Sequence, residues 1–121
     1  MGRAALGARA ARPMSQAILY STFPEVGTEA EGAAFRRVVP RARLTRYGTD
    51  CYGYALIAAG QIDLVIEAGL QTYDVMAPIA VIEAAGGIVT NWQGGPAHLG
   101  GQVLAAANTT IHAEAMALLN G

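Results

Sequence analysis

Short apolar runs alternate with helical patterns along most of this 121-residue chain, and this alternation restricts the folds that it can adopt. The candidate strands lie at 16–23, 43–47, 62–66, 88–92 and 102–106, and the first of them is rich in the β-branched and aromatic residues that favour strands. Between them, apolar residues recur at helical spacing. Strands separated by helices are typical of βαβ units, so we predict an α/β fold with a mainly parallel sheet and covering helices.

Polar cap residues indicate where the predicted helices begin. Thr28 and Glu31 have the spacing of a capping box, which predicts a helix directly after Thr28. Thr49 and Asn108 are the side chains best suited to cap two later helices. A further helix is predicted at about 73–85, and it should be followed by the next strand.

Glycine and proline mark the expected breaks between these elements. Gly69 follows the apolar run 62–66 and predicts a turn there. Pro78 lies in the pattern of the helix predicted at 73–85, where it is tolerated in the first turn and kinks the helix at any later position. The Gly86-Gly87 pair then predicts the end of that helix.

Charge is distributed unevenly along the chain, although the net charge is only −1. Residues 1–46 contain all eight arginines and three acids, or +5, and residues 47–121 contain six acids without Lys or Arg, or −6. An acidic segment of this kind fits a cation site or a basic partner. Equally, the acids of the second segment can pair with the arginines of the first in the fold.

Composition excludes several classes of protein. No apolar run approaches the ~18 residues that indicate a membrane span. The basic first third has few aromatic residues and no lysine, which argues against nucleic-acid binding. The single cysteine, Cys51, forms no internal disulfide and indicates a reducing, cytoplasmic location. Two segments are expected: an Ala/Arg-rich segment at residues 1–15 and the α/β unit at residues 16–121. The first segment is interpreted as a surface segment, as a remnant of a longer protein or as an imitation of a transit peptide.

Polar residues are predicted at the carboxyl ends of three strands, which is where α/β proteins bind ligands. Gly48, Thr49 and Asp50 follow one strand and open a helix, so their N–H groups are suited to an anion, or they form a plain helix cap. Glu67 closes the next strand, where it binds a hydroxyl or amine group or is simply solvated. Asp74 opens the following helix, where it binds Mg²⁺ or is an ordinary acid favoured by the helix dipole.

Several of these short motifs together resemble the C-terminal half of the inositol-monophosphatase-like phosphatases. The resemblance extends over about residues 16–120 and is carried by R-Y-G-T-D (46–50), E-A-G (67–69), Y-D (73–74), E-A-A-G-G-I-V-T (83–90), W-Q-G-G-P (92–96) and V-L-A-A-A-N (103–108). The Gly-Thr-Asp-Cys-Tyr and Tyr-Asp motifs are most similar to those of histidinol-phosphatases in this family. The resemblance implies the C-terminal part of the family's layered sugar-phosphatase fold.

The resemblance also implies roles for individual residues. Asp74 matches the family's metal-binding aspartate, Glu67 its substrate-contacting glutamate, and Gly48, Thr49 and Asp50 its substrate-contacting loop. No residue of this chain matches the family's water-activating threonine and acid. The negative charges of Asp50 and Glu67 further suggest that they face the amine or imidazole of a cationic substrate.

The family's remaining metal ligands lie in a G-E/D-E element and a D-P-(I/L)-D-G-T element, and neither occurs here. The expectation is therefore the C-terminal portion of a Mg²⁺-dependent phosphomonoesterase that acts on histidinol phosphate and is inactive alone. Its expected partners are a small phosphorylated substrate and either the missing N-terminal half or a second copy. The alternatives are an inositol-phosphate or sugar-phosphate phosphatase fragment and a non-catalytic interaction module.

Overall fold

One sheet runs through the centre of the protein, with helices on both of its faces. The computed structural model describes residues 7–22, 24–48, 52–70, 72–97 and 101–121, and at residues 52 and 72–75 it describes the backbone alone. Within these residues the strands are β1 (Ile18–Tyr20), β2 (Leu44–Arg46), β3 (Leu64–Leu70), β4 (Ile88–Thr90) and β5 (Gly101–Ala106). The helices are α1 (Glu29–Val38), α2 (Tyr52–Ala58), α3 (Thr72–Ala84) and α4 (Thr109–Asn120).

The strands are arranged in the order β2-β1-β3-β5-β4. β1 pairs in parallel with both β2 and β3, whereas β5 is antiparallel to both β3 and β4. Four strands therefore point the same way and β5 is reversed, so the predicted α/β fold is confirmed with a mixed sheet. Residues 91–100 connect β4 to β5. This connection is shorter than the dozen or so residues that a crossover to a parallel neighbour requires, which accounts for the reversal.

Both faces of the sheet are buried, and each face contributes to a separate apolar cluster. In β3, Leu64 and Ile66 belong to one cluster and Val65 to the other, because successive side chains of a strand point to opposite faces. α1 and α4 pack together with the first cluster, and α2 and α3 pack together with the second. The run 62–66 was predicted to form a buried strand, and residues 64–66 do so at the start of β3.

The helix ends confirm most of the predicted caps. The Thr28 N–H donates to Glu31 Oε1 at 2.9 Å and the Glu31 N–H donates to Thr28 Oγ1 at 3.2 Å, which completes the capping box of α1. The hydrogen bond from the Thr28 backbone holds the pKa of Glu31 below its ordinary value. Asn108 caps α4, since its side chain accepts from the Ile111 N–H at 3.0 Å. The predicted cap Thr49 lies outside the described residues.

One prediction about a break in the chain, at Gly69, needs correction, and the position of Pro78, which the sequence left open, is now defined. Gly69 does not form a turn after the third strand; it lies within β3, where φ is +78° and the pairing with β5 shifts register between Glu67 and Leu70. The glycine therefore allows an irregularity inside a strand, which a local turn signal cannot distinguish from a strand end. Pro78 lies in the interior of α3, beyond the first turn, where the helix lacks the hydrogen bond that an N–H at this position would form.

Residues 8–14 are attached to the rest of the fold by specific contacts. Arg9 Nη1 lies 3.4 Å from Asp63 Oδ2, and Arg12 Nε lies 3.3 Å from Asp63 Oδ1. The Ala8 N–H donates to the Ala85 carbonyl at 3.0 Å, and Met14 is buried in the first cluster. For Asp63, pairing with the N-terminal arginines is thus confirmed. Within the described part of the chain, no helix combines the length and apolarity of a membrane span.

Candidate functional site

The carboxyl ends of β1, β2 and β3 lie along one edge of the sheet, because these three neighbouring strands are parallel. Thr22 follows β1 at this edge and Gly48 follows β2. Glu67 was predicted to close its strand, but it lies within β3, which continues to Leu70 after an irregularity in its pairing. The fold therefore brings two of the residues singled out from the sequence, Gly48 and Glu67, to the same edge. Thr22 lies between them, just after the end of β1.

Glu67 is buried, and three donors surround its carboxylate. The Thr22 N–H donates to Oε2 at 2.9 Å, and the Thr22 hydroxyl donates to the same oxygen. On the other oxygen, Oε1, the Tyr54 hydroxyl donates at 3.1 Å. With only 6% of the residue exposed, Glu67 is not the solvated strand end of the simpler interpretation. The donors compensate the carboxylate for lost water and fix its orientation.

Gly48 contributes to the site through its backbone. Its φ of +83° is a left-handed conformation that favours glycine, and a Cβ at this position would meet nothing within 4 Å. The Gly48 N–H donates to the Thr22 carbonyl at 2.8 Å, so this group is not available to an anion. The Gly48 N–H is thus used within the fold, and a substrate-binding role for the loop that begins at Gly48 stays a prediction.

Thr22 is the residue that the sequence analysis missed, although it contacts both Gly48 and Glu67. A hydroxyl residue at the end of a predicted strand was the available signal. Nothing in the spacing indicates, however, that this strand lies between the other two. Tyr54 was similarly hidden, because its helical spacing indicates a core position; it is 2% exposed, and its hydroxyl reaches the carboxylate from α2.

We expect Thr22→Val to lower the free energy of unfolding by about 2 kcal/mol, because it removes a donor to a buried carboxylate while preserving side-chain shape. The conservative control is Thr22→Ser, which retains the hydroxyl and should lose less than half as much. Urea unfolding followed by circular dichroism measures both. Equal losses in the two variants would show that the methyl group, and not the hydroxyl, stabilises this position.

A cavity of about 250 Å³ opens beside Glu67 and is lined by residues 21–22, 25–27 and 67–70. Glu25 and Glu67 are the acids in its lining, which includes no Lys or Arg among the described residues. The volume is below the ~300–1,000 Å³ of pockets that enclose a whole ligand, so it suits one group of a larger molecule. Two carboxylates without a counter-charge favour a cationic or hydrogen-bond-donating group.

The other predicted site residues are less fully described. Thr49 and Asp50 lie outside the described residues. Asp74 lies in the first turn of α3, which begins at Thr72, shortly after β3 ends at Leu70. The backbone of residue 74 is therefore near the carboxyl end of β3, and the metal-binding role of its side chain stays a prediction.

The described residues do not form a complete magnesium site. Among them, no three His, Cys, Asp or Glu side chains are grouped so that they could hold an ion. Mg²⁺ requires near-octahedral coordination by several oxygens, and the carboxylate of Glu67 supplies at most two of them. A metal at this edge would need ligands beyond those described.

A second buried polar pair lies away from this edge and joins β4 to α4. Thr90 Oγ1 donates to the Asn91 carbonyl at 2.6 Å and is 2.7 Å from His112 Nε2. Because the hydroxyl proton is used, His112 must donate from Nε2, and burial lowers the pKa of its imidazole. The imidazole of His112 therefore has a structural role, which is to link α4 to β4 through Thr90. Cys51 and His98 lie outside the described residues.

This lowered pKa predicts a specific loss of stability in mild acid. The unfolded imidazole binds a proton near its ordinary pKa of 6.5, whereas the folded one binds it only at lower pH. The contribution of neutral His112 to the free energy of unfolding is therefore fully present above about pH 7. It decreases as the pH falls through 6.5 toward the folded pKa. We expect the urea midpoint to decrease from pH 7.5 to pH 5.5, and this decrease to be smaller in His112→Gln. An identical decrease in the variant would contradict the assignment.

Comparison with known proteins agrees with this geometry. Residues 6–120 match the model of the inositol monophosphatase family. The bifunctional phosphatase IMPL2 of Arabidopsis thaliana is 46% identical over 89 residues, which are 74% of this chain and 26% of the plant protein. A histidinol-phosphatase of Chlorobaculum parvum is 31% identical over 70 residues, or 58% of this chain and 27% of the bacterial protein.

A solved structure extends the comparison to the whole fold. The inositol monophosphatase of Zymomonas mobilis superposes with a TM-score of 0.91 at 31% identity, and the match covers 96% of this chain and 47% of that protein. The chain thus spans about a quarter of the curated relatives and just under half of the solved structure. Because the family match extends over nearly all of its residues, the chain belongs to the inositol monophosphatase family.

Proposed function

We propose that this chain is the C-terminal portion of a Mg²⁺-dependent phosphomonoesterase that hydrolyses histidinol phosphate. The observation that carries the proposal is the buried carboxylate of Glu67, held by Thr22 and Tyr54 beside an acidic cavity. Family membership supports the phosphatase class. The names of two relatives, a bifunctional phosphatase and a histidinol-phosphatase, support a substrate beyond inositol phosphate.

The charge of the cavity favours a cationic substrate over a neutral polyol. Histidinol phosphate carries an amine and an imidazole, and either group suits a recess that contains Glu25 and Glu67 without Lys or Arg among its described lining residues. In this proposal Glu67 binds and orients the cationic end of the substrate. An inositol or sugar phosphate, which lacks a positive charge, is the alternative substrate.

In the intact enzyme, Asp74 would supply one carboxylate to Mg²⁺, and the bound metal would activate water and stabilise the charge that develops on phosphate. The residues that this chain contributes would bind the leaving alcohol and exclude water around it. The remaining metal ligands and the water-activating acid are proposed to come from an N-terminal half of the family fold.

We expect the purified 121-residue chain to bind Mg²⁺ weakly and to hydrolyse no histidinol phosphate above the uncatalysed rate. One carboxylate cannot fix an octahedral ion, and phosphate monoesters require accelerations of up to ~10²¹-fold. Isothermal titration with MgCl₂ and a phosphate-release assay measure the two quantities. Magnesium-dependent turnover that follows the chain through purification would contradict the proposal.

The substrate is tested by exchanging the matching halves of two proteins. The portion of the Zymomonas mobilis enzyme that matches this chain is replaced by the present sequence, and phosphate release from histidinol phosphate and inositol monophosphate is compared. We expect the exchange to shift the kcat/KM preference toward histidinol phosphate. Glu67→Gln should raise KM for histidinol phosphate roughly tenfold, since it neutralises the proposed partner of the cation. Retained preference for inositol monophosphate would favour the alternative.

A further inference from the structure

The buried carboxylate of Glu67 has few hydrogen-bonding positions left for a ligand in the cavity. A carboxylate has about four acceptor positions, two on each oxygen. Oε2 accepts from both the N–H and the hydroxyl of Thr22, and Oε1 accepts from the hydroxyl of Tyr54 at 3.1 Å. Among the described contacts, one position on Oε1 is therefore left, and Glu67 belongs to the lining of the cavity. A ligand in the cavity would meet Glu67 at Oε1.

Tyr54 contacts this oxygen from outside the described lining of the cavity. Its side chain is 2% exposed, and the described lining residues do not include it. Tyr54 belongs to α2, whereas Thr22 follows β1, so the two oxygens of Glu67 are held by different elements. The terminal torsion of a glutamate has no sharp preference of its own, so these hydrogen bonds fix it. The direction of the remaining acceptor position therefore depends on Tyr54.

From this geometry we infer that Tyr54 is a positioning residue, which sets the affinity for a cationic substrate through Glu67 without touching the substrate. The inference deepens the proposed function and rests on it, because it takes Glu67 as the partner of the substrate's positive charge. A group that is ordered before binding loses less conformational freedom when the ligand arrives. Removal of the Tyr54 hydroxyl would release one oxygen of the carboxylate, so binding should weaken although the charge of Glu67 is retained.

A binding measurement tests this role independently of turnover. L-Histidinol has the amine and the imidazole of the proposed substrate and lacks its phosphate, so it needs no metal. The isotope-labelled 121-residue chain is titrated with L-histidinol, and the dissociation constant is obtained from NMR chemical shifts. Tyr54→Phe removes the hydroxyl and retains the ring. We expect it to raise the dissociation constant about tenfold, as for the loss of one hydrogen bond to a charged group.

Tyr20→Phe is the matched control. Tyr20 packs against the same apolar cluster that contains Tyr54, and none of the hydrogen bonds described for Glu67 comes from it. Its loss of a hydroxyl should change the dissociation constant by less than about twofold, since it leaves the carboxylate held as before. Circular dichroism and urea unfolding establish that each variant is folded under the conditions of the titration.

A double variant shows whether Tyr54 acts through Glu67. Glu67→Gln alone should raise the dissociation constant for L-histidinol about tenfold. If Tyr54 only positions this carboxylate, adding Tyr54→Phe to Glu67→Gln should raise the constant little further. Two independent losses would instead multiply to about a hundredfold, as expected if Tyr54 merely supports the fold.

Four results would overturn the inference: no binding of L-histidinol by the wild type, no loss in Tyr54→Phe, an equal loss in Tyr20→Phe, or full multiplication of the two losses in the double variant. A loss in Tyr54→Phe that disappears in the Glu67→Gln background supports it.

Turnover is measured separately, in the Zymomonas mobilis protein that carries the present sequence in place of its matching portion. There, Tyr54→Phe should raise KM for histidinol phosphate and leave kcat within about twofold, because Glu67 binds the substrate equally in the ground state and the transition state. If L-histidinol binding shows the expected coupling but histidinol phosphate is not hydrolysed, the proposed function is contradicted and the positioning role of Tyr54 stands.

Discussion

Replacing Asp63 with alanine is expected to lower the free energy of unfolding by about 3 kcal/mol. The side chain is fully buried, and Oδ2 accepts the Ile18 N–H at 2.8 Å while Arg9 and Arg12 approach the two oxygens. Without the carboxylate, the Ile18 N–H loses its acceptor at the start of β1. We place the loss at the low end for a broken buried pair, because both arginines are partly exposed and can turn to water.

The isosteric variant Asp63→Asn separates charge from shape. It retains an acceptor for the Ile18 N–H and loses the attraction for the arginines, so its loss should be about half as large. Trypsin provides an independent measurement, since Arg9 is a cleavage site within the segment that Asp63 holds, whereas the Arg12–Pro13 bond resists trypsin. Both variants should be cut there faster than the wild type. Unchanged urea midpoints and unchanged cleavage would show that Asp63 does not anchor residues 8–14.

The second large effect is expected at Gly87, where alanine should lower the free energy of unfolding by about 3 kcal/mol. A Cβ at this position would lie 2.6 Å from Ile82 Cγ2 and 2.7 Å from the Ala106 carbonyl oxygen. The second contact is with the backbone of β5, which is paired on both sides and cannot move aside. Relief would therefore require displacement of the turn between α3 and β4.

The neighbouring Gly86 is required for a different reason. Its φ is +96° and nothing lies within 4 Å of an added Cβ, so Gly86→Ala meets backbone strain of about 1–2 kcal/mol without a clash. Gly7, which has neither constraint, is the matched control, and its alanine variant should be neutral. Thermal and urea unfolding rank the three variants. A loss at Gly87 no larger than that at Gly86 would contradict the steric argument.

These two glycines show why local signals predicted the helix ends well. The Gly87 N–H donates to the Ile82 carbonyl at 2.9 Å, and the Gly86 N–H donates to the Glu83 carbonyl at 3.1 Å, which is the Schellman pattern at the end of α3. The capping box of Thr28 and Glu31 was predictable for the same reason. In each case the partners are a few residues apart, so the sequence contains the whole interaction.

Contacts between distant segments could not be predicted in this way. Asp63 is paired with arginines more than fifty residues earlier in the chain, and no spacing rule relates them. Thr22 reaches Glu67 only because β1 lies beside β3 in the sheet. The sequence therefore indicated which strand ends carry polar groups, but the hydrogen bonds that hold Glu67 depend on strand order, which the alternation of elements does not determine.

The position of β5 between β3 and β4 also affects how the chain folds while it is synthesised on a ribosome. Among the described strands, β4 pairs with β5 alone, so residues 88–90 have none of these partners until residues 101–106 have been synthesised. One edge of β3 likewise has no pairing with β5 until β5 has been synthesised. At ~5–20 residues per second, the nascent chain exposes these apolar strands for a second or more. A chaperone that binds extended apolar segments would find its target in the emerging polypeptide between β3 and β5.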